Sequence, residues 1–490
     1  MNYQEFYPAL FRVMLPETAL EVAALIVLVV DLAFLRKAAL NVRTGIASLL
    51  GIAGCLAGLW LMQGQGVTTF SVDGTTGTTL LVTGGYTAVA QIAILILTAF
   101  TLVLLLDSRF TRHVGEYVAI VLMSATGGLI ICGAQDLLVI FVGLELLSLG
   151  LYVITAFAKR SGKSAEGALK YYLFGGMSAA FLLFGFSYLY GFAGSTNLQE
   201  VFAAVVAPSV ASSPLLYVAL VAVAAGLGFK VAAFPFHLWA PDAYEGAPAP
   251  AAAFIASVSK VASFALLITI TMNVQSPRWG LLLLILAAAS MFAGNLAALA
   301  QVSVRRLLAY SAIAHAGYML LALAYLSDRS RSALLYYILT YALTTIGAFG
   351  VVGVVERAMG TDRFDGFLGL NKRNPLLAAV LLVLFLSLAG IPPLVGFWAK
   401  FNLFATVLAV GGGVVPFTLV ALAVGFSAVS LYYYLQVLKR VYVMAPTDEN
   451  RINVDPVVTL VLVLIAAAVV VLGCFPALPQ SWIDTVGKTL

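Results

Sequence analysis

Apolar runs of about 20 residues or more recur along nearly the whole chain, and a run of that length crosses a hydrocarbon core roughly 30 Å thick. The runs are continuous rather than alternating. A backbone in lipid must satisfy its own polar groups, so continuous runs form helices, whereas barrel strands would alternate. Only 10% of the 490 residues are charged and 62% are hydrophobic, at a mean hydropathy of +1.05, against about 25% charged in a soluble domain. The sequence therefore describes an all-α polytopic membrane protein.

About fourteen spanning segments are predicted, near 15–35, 44–64, 84–106, 116–135, 137–158, 166–193, 215–240, 248–272, 279–303, 307–326, 332–355, 376–409, 414–438 and 456–475. The first holds Glu17, Glu21 and Asp31 and lacks a cleavage-like site, so it reads as a retained helix rather than a signal peptide. Orientation follows from the basic residues. With the N-terminus outside, 17 loop Lys and Arg fall inside, and only Arg12, Arg278, Arg329, Arg331 and Lys488 fall outside. This bias predicts that both termini lie outside. The net charge of +5 follows from that topology and does not form a nucleic-acid patch.

Two segments are interrupted. Gly226–His237, GLGFKVAAFPFH, places Lys230 in an apolar run and Pro235 five residues later. Leu388–Phe401, LAGIPPLVGFWAKF, breaks at Pro392 and Pro393 and carries Lys400 beyond the break. A charge in lipid costs roughly 2.5 to 3.5 kcal/mol even on permissive scales, so such lysines are rare and usually functional. Paired interrupted segments also point to a transport site in proteins built from internal repeats. The two segments are five crossings apart and run in opposite directions, which predicts two inverted five-helix repeats and two discontinuous helices. The chain divides accordingly into a three-helix segment at 1–115, repeats at 116–272 and 273–440, and a C-terminal helix at 441–490.

The ionisable residues within the spans are the candidate site. Glu145, in FVGLELLSLGLY, lies nine residues past Asp136 and hence about 13 Å deep; a structural carboxylate bonded to a neighbouring helix is the alternative. Lys170, in GALKYYLFGG, is a few residues past an inside loop, where snorkelling is the plain alternative. Lys230 and Lys400 stand beside breaks, and Lys260, in FIASVSKVASF, lies deep in its segment. A buried lysine sheds its proton more readily without a partner and less readily beside a carboxylate. Glu145, Lys170, Lys230, Lys260 and Lys400 can thus switch proton occupancy when one partner moves, which is the chemistry of a proton relay. The half-helix ends add dipoles and freed carbonyls, and small residues such as Ala232, Ala233, Ala389 and Gly390 leave room for water. His315 is a polar link between the halves or hydrogen-bonded packing. His237, with Asp242 and Glu245, either admits protons from inside or caps a Pro-rich turn. Ser257 and Ser259 are water-wire members or helix-packing groups.

Other chemistries are excluded. Cys55, Cys132 and Cys474 are far apart and form no CxxC, which removes iron–sulfur ligation and zinc. Neither a GxGxxG after a strand nor a GxxxxGK[ST] occurs, which removes nucleotide binding.

The stretches LGFKVAAFPFHLWAPDAYEGAPAP, SVSKVASF, GLELLSLGLY, LKYYLFGG and LAGIPPLVGFWAKF resemble the antiporter-like membrane subunits of respiratory complex I, the bacterial NADH:quinone oxidoreductase, which are related to Mrp antiporter subunits. The opening LPETALEVAALIVLVVDL and Lys400 are most similar to the N-type branch. M-type sequences carry Glu at the position of Lys400, and the L-type has a lateral helix for which no room follows Cys474. The resemblance implies fourteen helices with two inverted repeats, and a pairing of Glu145 with Lys230. It further implies a hydrated axis through Lys170 and Lys260, with Lys400 at its far end. It implies proton pumping from cytoplasm to periplasm in a bacterial inner membrane, beside an M-type neighbour and small membrane subunits. FMN, iron–sulfur clusters and quinone belong to partner subunits and no redox cofactor to this chain. An Mrp-type cation/proton antiporter subunit and a purely structural scaffold of the membrane arm are the alternatives.

Overall fold

The structure, a computed structural model, describes residues 3–63, 66–71, 79–274, 276–446 and 450–489. The side chain of Lys488, expected outside, lies beyond the described residues. In chain order the helices are α1 (Tyr3–Val13), α2 (Leu15–Val29), α3 (Leu40–Leu61), α4 (Gly85–Leu104), α5 (Val114–Gly133), α6 (Leu137–Thr155), α7 (Gly162–Ala193), α8 (Leu198–Val206), α9 (Pro208–Ala211) and α10 (Pro214–Lys230). They continue as α11 (Trp239–Gly246), α12 (Ala249–Asn273), α13 (Pro277–Leu299), α14 (Val304–Ala324), α15 (Asp328–Met359), α16 (Leu370–Arg373), α17 (Pro375–Ala389), α18 (Val395–Gly411), α19 (Val414–Tyr442), α20 (Pro456–Cys474) and α21 (Ala477–Thr489). Strands β1 (Thr68–Ser71) and β2 (Thr79–Thr83) form an antiparallel hairpin between α3 and α4.

Every predicted segment coincides with one of these helices or with a broken pair. Among the described residues, 11 helices are long and apolar enough to cross a membrane, α1 and α2 form a pair bent by 81°, and α10, α17 and α18 are shorter apolar helices. The chain is a multi-pass membrane protein. Polar residues start the helices where their side chains can accept from freed N–H groups: Asp136 for α6, Ser161 for α7, Ser303 for α14, Asn374 for α17 and Asp455 for α20. Left-handed glycines, Gly194 and Gly360, end α7 and α15.

The most enclosed helices are α12, α14, α15 and α5, while α3, α7, α19 and α20 turn most of their surface outward. An apolar outer surface is what lipid contact requires, so the buried centre is where polar groups have to be explained. Interior glycines bring certain helices backbone to backbone. A Cβ at Gly294 of α13 would stand 2.6 Å from Ala314 N, and one at Gly317 of α14 would stand 2.7 Å from Met291 N. Gly127 of α5 lies equally hard against Leu147 N and Gly143 O of α6. The pairs α5–α6 and α13–α14 therefore pack in the same way, with small residues at the seam.

A second feature repeats. Leu137 N donates to Thr196 O and Leu198 N to Gln135 O, joining the start of α6 to the end of α7. Val304 N donates to Asp362 O and Phe364 N to Val302 O, joining the start of α14 to the end of α15. Helix α6 begins at the first bridge. Beyond its other end lies Lys163, which pairs with Glu245, and Glu245 in turn pairs with Arg306 close to the second bridge. The two bridges thus lie at opposite ends of the molecule, as an inverted repeat demands. The end holding Lys163, Glu245 and Arg306 is called inner below, and the end holding the hairpin is called outer.

Replacing Gly317 with Val would wedge α13 from α14, because Met291 N at 2.7 Å and Ala287 O at 2.8 Å from a Cβ there are backbone atoms that cannot rotate away, and overpacking of this kind costs about 1 to 3 kcal/mol. Thermal unfolding of the purified protein should show a lowered midpoint for G317V. Gly45→Ala, with open space at its Cβ, should leave the midpoint unchanged.

Candidate functional site

Helix α10 stops at Lys230, earlier than Pro235 requires, and the chain turns through Ala232 at φ 55 before reaching α11. A left-handed non-glycine residue is sparsely populated and marks a backbone held by its surroundings. Lys230 is 7% exposed. Its Nζ donates to Ser148 Oγ at 2.5 Å and stands 4.0 Å from Glu145 Oε1. Ser148 follows Glu145 by three residues and so shares its face of α6. The Glu145–Lys230 pair is therefore a long contact, with Ser148 as the direct partner of the ammonium. The carbonyl of Val231, just past the end of α10, accepts from Lys260 Nζ. Lys260 is 1% exposed and has no carboxylate partner among the described residues.

The second break lies between α17 and α18, where Gly390 adopts φ 89. Lys400 is 6% exposed, and its Nζ donates to Leu388 O at 3.0 Å, Ala389 O at 2.9 Å and Ser427 Oγ at 2.8 Å. Lys230 precedes its break and Lys400 follows its own, so the two lysines do not occupy matching places. The counterpart of Lys260 is Ser427 of α19, which donates to Ala389 O at 3.3 Å. Each break has its freed carbonyl held by the helix that closes its own repeat.

Between the breaks, His315 of α14 is buried, and its Nδ1 bonds the hydroxyl of Tyr337 at 2.7 Å. A cavity of about 10 Å³, the size of one water, is lined by His315, Tyr337, Tyr341, Ser387 and Ala399. The Tyr318 ring lies 5.6 Å from Lys400 Nζ, and its hydroxyl accepts from Asn295 Nδ2 at 3.3 Å. Tyr433 OH donates to Asn295 Oδ1 at 3.3 Å. Ser148, Ser427, Asn295, Tyr318, Tyr337 and Tyr433 are absent from the sequence prediction. The spacing of Ser148 from Glu145 was a usable signal; tyrosines scattered through apolar helices gave none. Among the described residues Ser257 bonds only the Ala253 carbonyl of its own helix.

Lys170 stands apart from this buried group. Its side chain is 39% exposed and pairs with Glu166 at 2.6 Å and Asp242 at 2.7 Å. Asp242 also takes Arg306 at 2.6 Å, Glu245 takes Arg306 at 3.0 Å and Lys163 at 2.7 Å, and Arg305 pairs with Glu356 at 2.6 Å. This inner ion cluster ties α11 to α7 and α14. His237 is buried and stacks on Phe234 at 5.2 Å, with no bond to Asp242 or Glu245. For both carboxyls burial pushes the pKa up, but the bonds from Lys170 and Arg306 to Asp242, and from Lys163 and Arg306 to Glu245, outweigh it and hold both below their ordinary values.

Residues 134–427, which contain both breaks and all five relay candidates, match the model of the family described as NADH:quinone oxidoreductase/Mrp antiporter, TM. The chain belongs to this family. It is 47% identical to NADH-quinone oxidoreductase subunit N 2 of Acidobacterium capsulatum, over 97% of this chain and 99% of that one. Among solved structures it is similar to a chain of respiratory complex I from Thermus thermophilus with bound aureothin, at 34% identity and a TM-score of 0.78, covering 95% of this chain and 98% of that one. The fold is also that of a chain of the Mrp complex from Dietzia sp., at 20% identity and a TM-score of 0.78, covering 98% and 97%.

Because Asp242 and Glu245 titrate lower in the folded chain than in the unfolded one, their contribution is complete above the unfolded values of 3.8 and 4.5. It is lost as pH falls through the lower folded values. The melting temperature should therefore hold down to that range and drop below it, and Asp242→Asn should flatten the drop.

Proposed function

We propose that this chain moves protons from cytoplasm to periplasm as a membrane-arm subunit of a bacterial inner-membrane NADH:quinone oxidoreductase. Three lysines in the protein interior carry the reading. Each ammonium is held mainly by uncharged oxygens: Ser148 for Lys230, Val231 O for Lys260, and Leu388 O, Ala389 O and Ser427 for Lys400. An ammonium bonded to neutral acceptors in an apolar interior is poised to release its proton, and an approaching carboxylate restores it. Glu145, at 4.0 Å from Lys230, is the group whose approach or retreat sets that balance. His315 links Lys260 to Lys400, and Lys170 with the inner cluster forms the side from which protons are taken up.

The divisions at 116–272 and 273–440 serve as the two transport units, flanked by 1–115 and 441–490. Electron transfer takes place in partner subunits that carry FMN, iron–sulfur clusters and quinone. An M-type subunit and small membrane subunits are the neighbours, and both termini face the periplasm. A cation/proton antiporter of the Mrp kind is the second reading, favoured by the shared fold of the Dietzia chain. Co-purification separates the two: NADH oxidation and flavin absorbance accompany the chain in the first reading, and neither does in the second.

Lys230→Ala should leave the complex assembled and lower coupled NADH:quinone turnover in membranes by on the order of 100-fold, the low end of what a lost proton-transfer group costs. Unchanged turnover with unchanged proton stoichiometry would leave only a structural role.

A further inference from the structure

Glu17, at the start of α2, is 4% exposed and lies outside the lysine series. Among the described residues it forms no ion pair with any lysine, arginine or histidine. Its Oε1 accepts from Gln91 Nε2 at 3.3 Å, and the same Nε2 donates to Leu129 O at 3.2 Å. That amide, fixed between two acceptors, assigns Oε1 as an acceptor. Oε2 is buried without a protein partner. A carboxylate held only by that shared amide and its own backbone N–H, with no cation beside it, is costlier to bury than a neutral acid, whose proton would sit on Oε2.

A cavity lies near this group. On the outer side a cavity of about 430 Å³ is lined by Thr87, Cys132, Gln135, Thr269, Asn273 and Arg331, among others. Thr87 is one turn before Gln91 on α4, and Cys132 is three residues past Leu129 on α5, so the cavity floor lies about one helical turn from Gln91 along α4. The volume admits several waters. Arg331 is taken up by Asp328 at 3.0 Å and by the Tyr86 ring at 3.8 Å. Glu21, one turn further along α2, is exposed, and the nearby thiol of Cys132 is buried.

We infer that Glu17 is a proton-binding group of this chain, neutral at pH 7, that exchanges its proton with the outer cavity and serves as the group that discharges protons on that side. The discharge role rests on the translocation reading; the proton on Glu17 does not.

The test uses the whole purified complex, examined by infrared spectroscopy and then reconstituted in vesicles. The wild type should show a carboxylic C=O stretch at pH 7 that shifts in D₂O. Glu17→Gln should delete it, and Glu17→Asp should move it without loss. Thr87→Phe, which fills the cavity floor, should slow the deuterium shift. Proton pumping should fall in E17Q and recover in E17D. A spectrum unchanged in E17Q overturns the proposal, as does a deleted band with pumping intact, which removes the discharge role. Normal pumping in Lys230→Ala would instead sink the translocation reading while leaving the Glu17 band as the measure of this one.

Discussion

A helix broken inside a membrane releases carbonyls that no water from the bilayer core can reach, and each one left bare costs several kcal/mol. The rest of the structure follows from how those carbonyls are met. At the first break Val231 O takes the ammonium of Lys260, and at the second Leu388 O and Ala389 O take that of Lys400. Lys260 and Lys400, two of the proposed relay lysines, are thus the groups that make the breaks tolerable. One interaction therefore holds the fold and places the charge, and the cost of an intramembrane lysine is offset by the backbone it satisfies.

The surroundings fit that arrangement. The enclosed helices α12, α14 and α15 keep the interior away from lipid, while the inner cluster fixes α11 through Asp242 and Glu245. Arg305 adds bonds to the carbonyls of Glu245 and, at 2.6 Å, Ala247, so the end of α11 is tied as well. The first break is thus anchored on its inner side and bounded by a strained turn at Ala232 on the other.

Much of this was legible in the sequence. Long apolar runs name helices directly, and Pro235, Pro392 and Pro393 mark the interruptions, because a ring without an N–H in the interior of a helix removes a hydrogen bond and clashes with the preceding turn. The hairpin at 68–83 was missed: its short strands carry no strong alternation, and β2 is fixed by contact with the end of α5 through Gln135 N and Leu80 O. Lys170 shows a different limit. Its depth was counted along one helix, but its partner Asp242 is 72 residues away, and a contact of that kind leaves no periodic trace. Ser427 could be found only by laying one repeat on the other, which requires the breaks to be located first.

The glycine seams carry a mechanical consequence. Where backbones touch, as at Gly127 against α6 and at Gly294 and Gly317 between α13 and α14, the closest contacts are made by backbone atoms, which cannot repack as side chains do. Each pair behaves as a stiff strut, pinned at one end by its own two-bond bridge. Within the buried centre the struts leave free the short non-helical turns after Lys230 and after Ala389. A bend at either turn would move the ammonium bonded there, that of Lys260 at the first and that of Lys400 at the second.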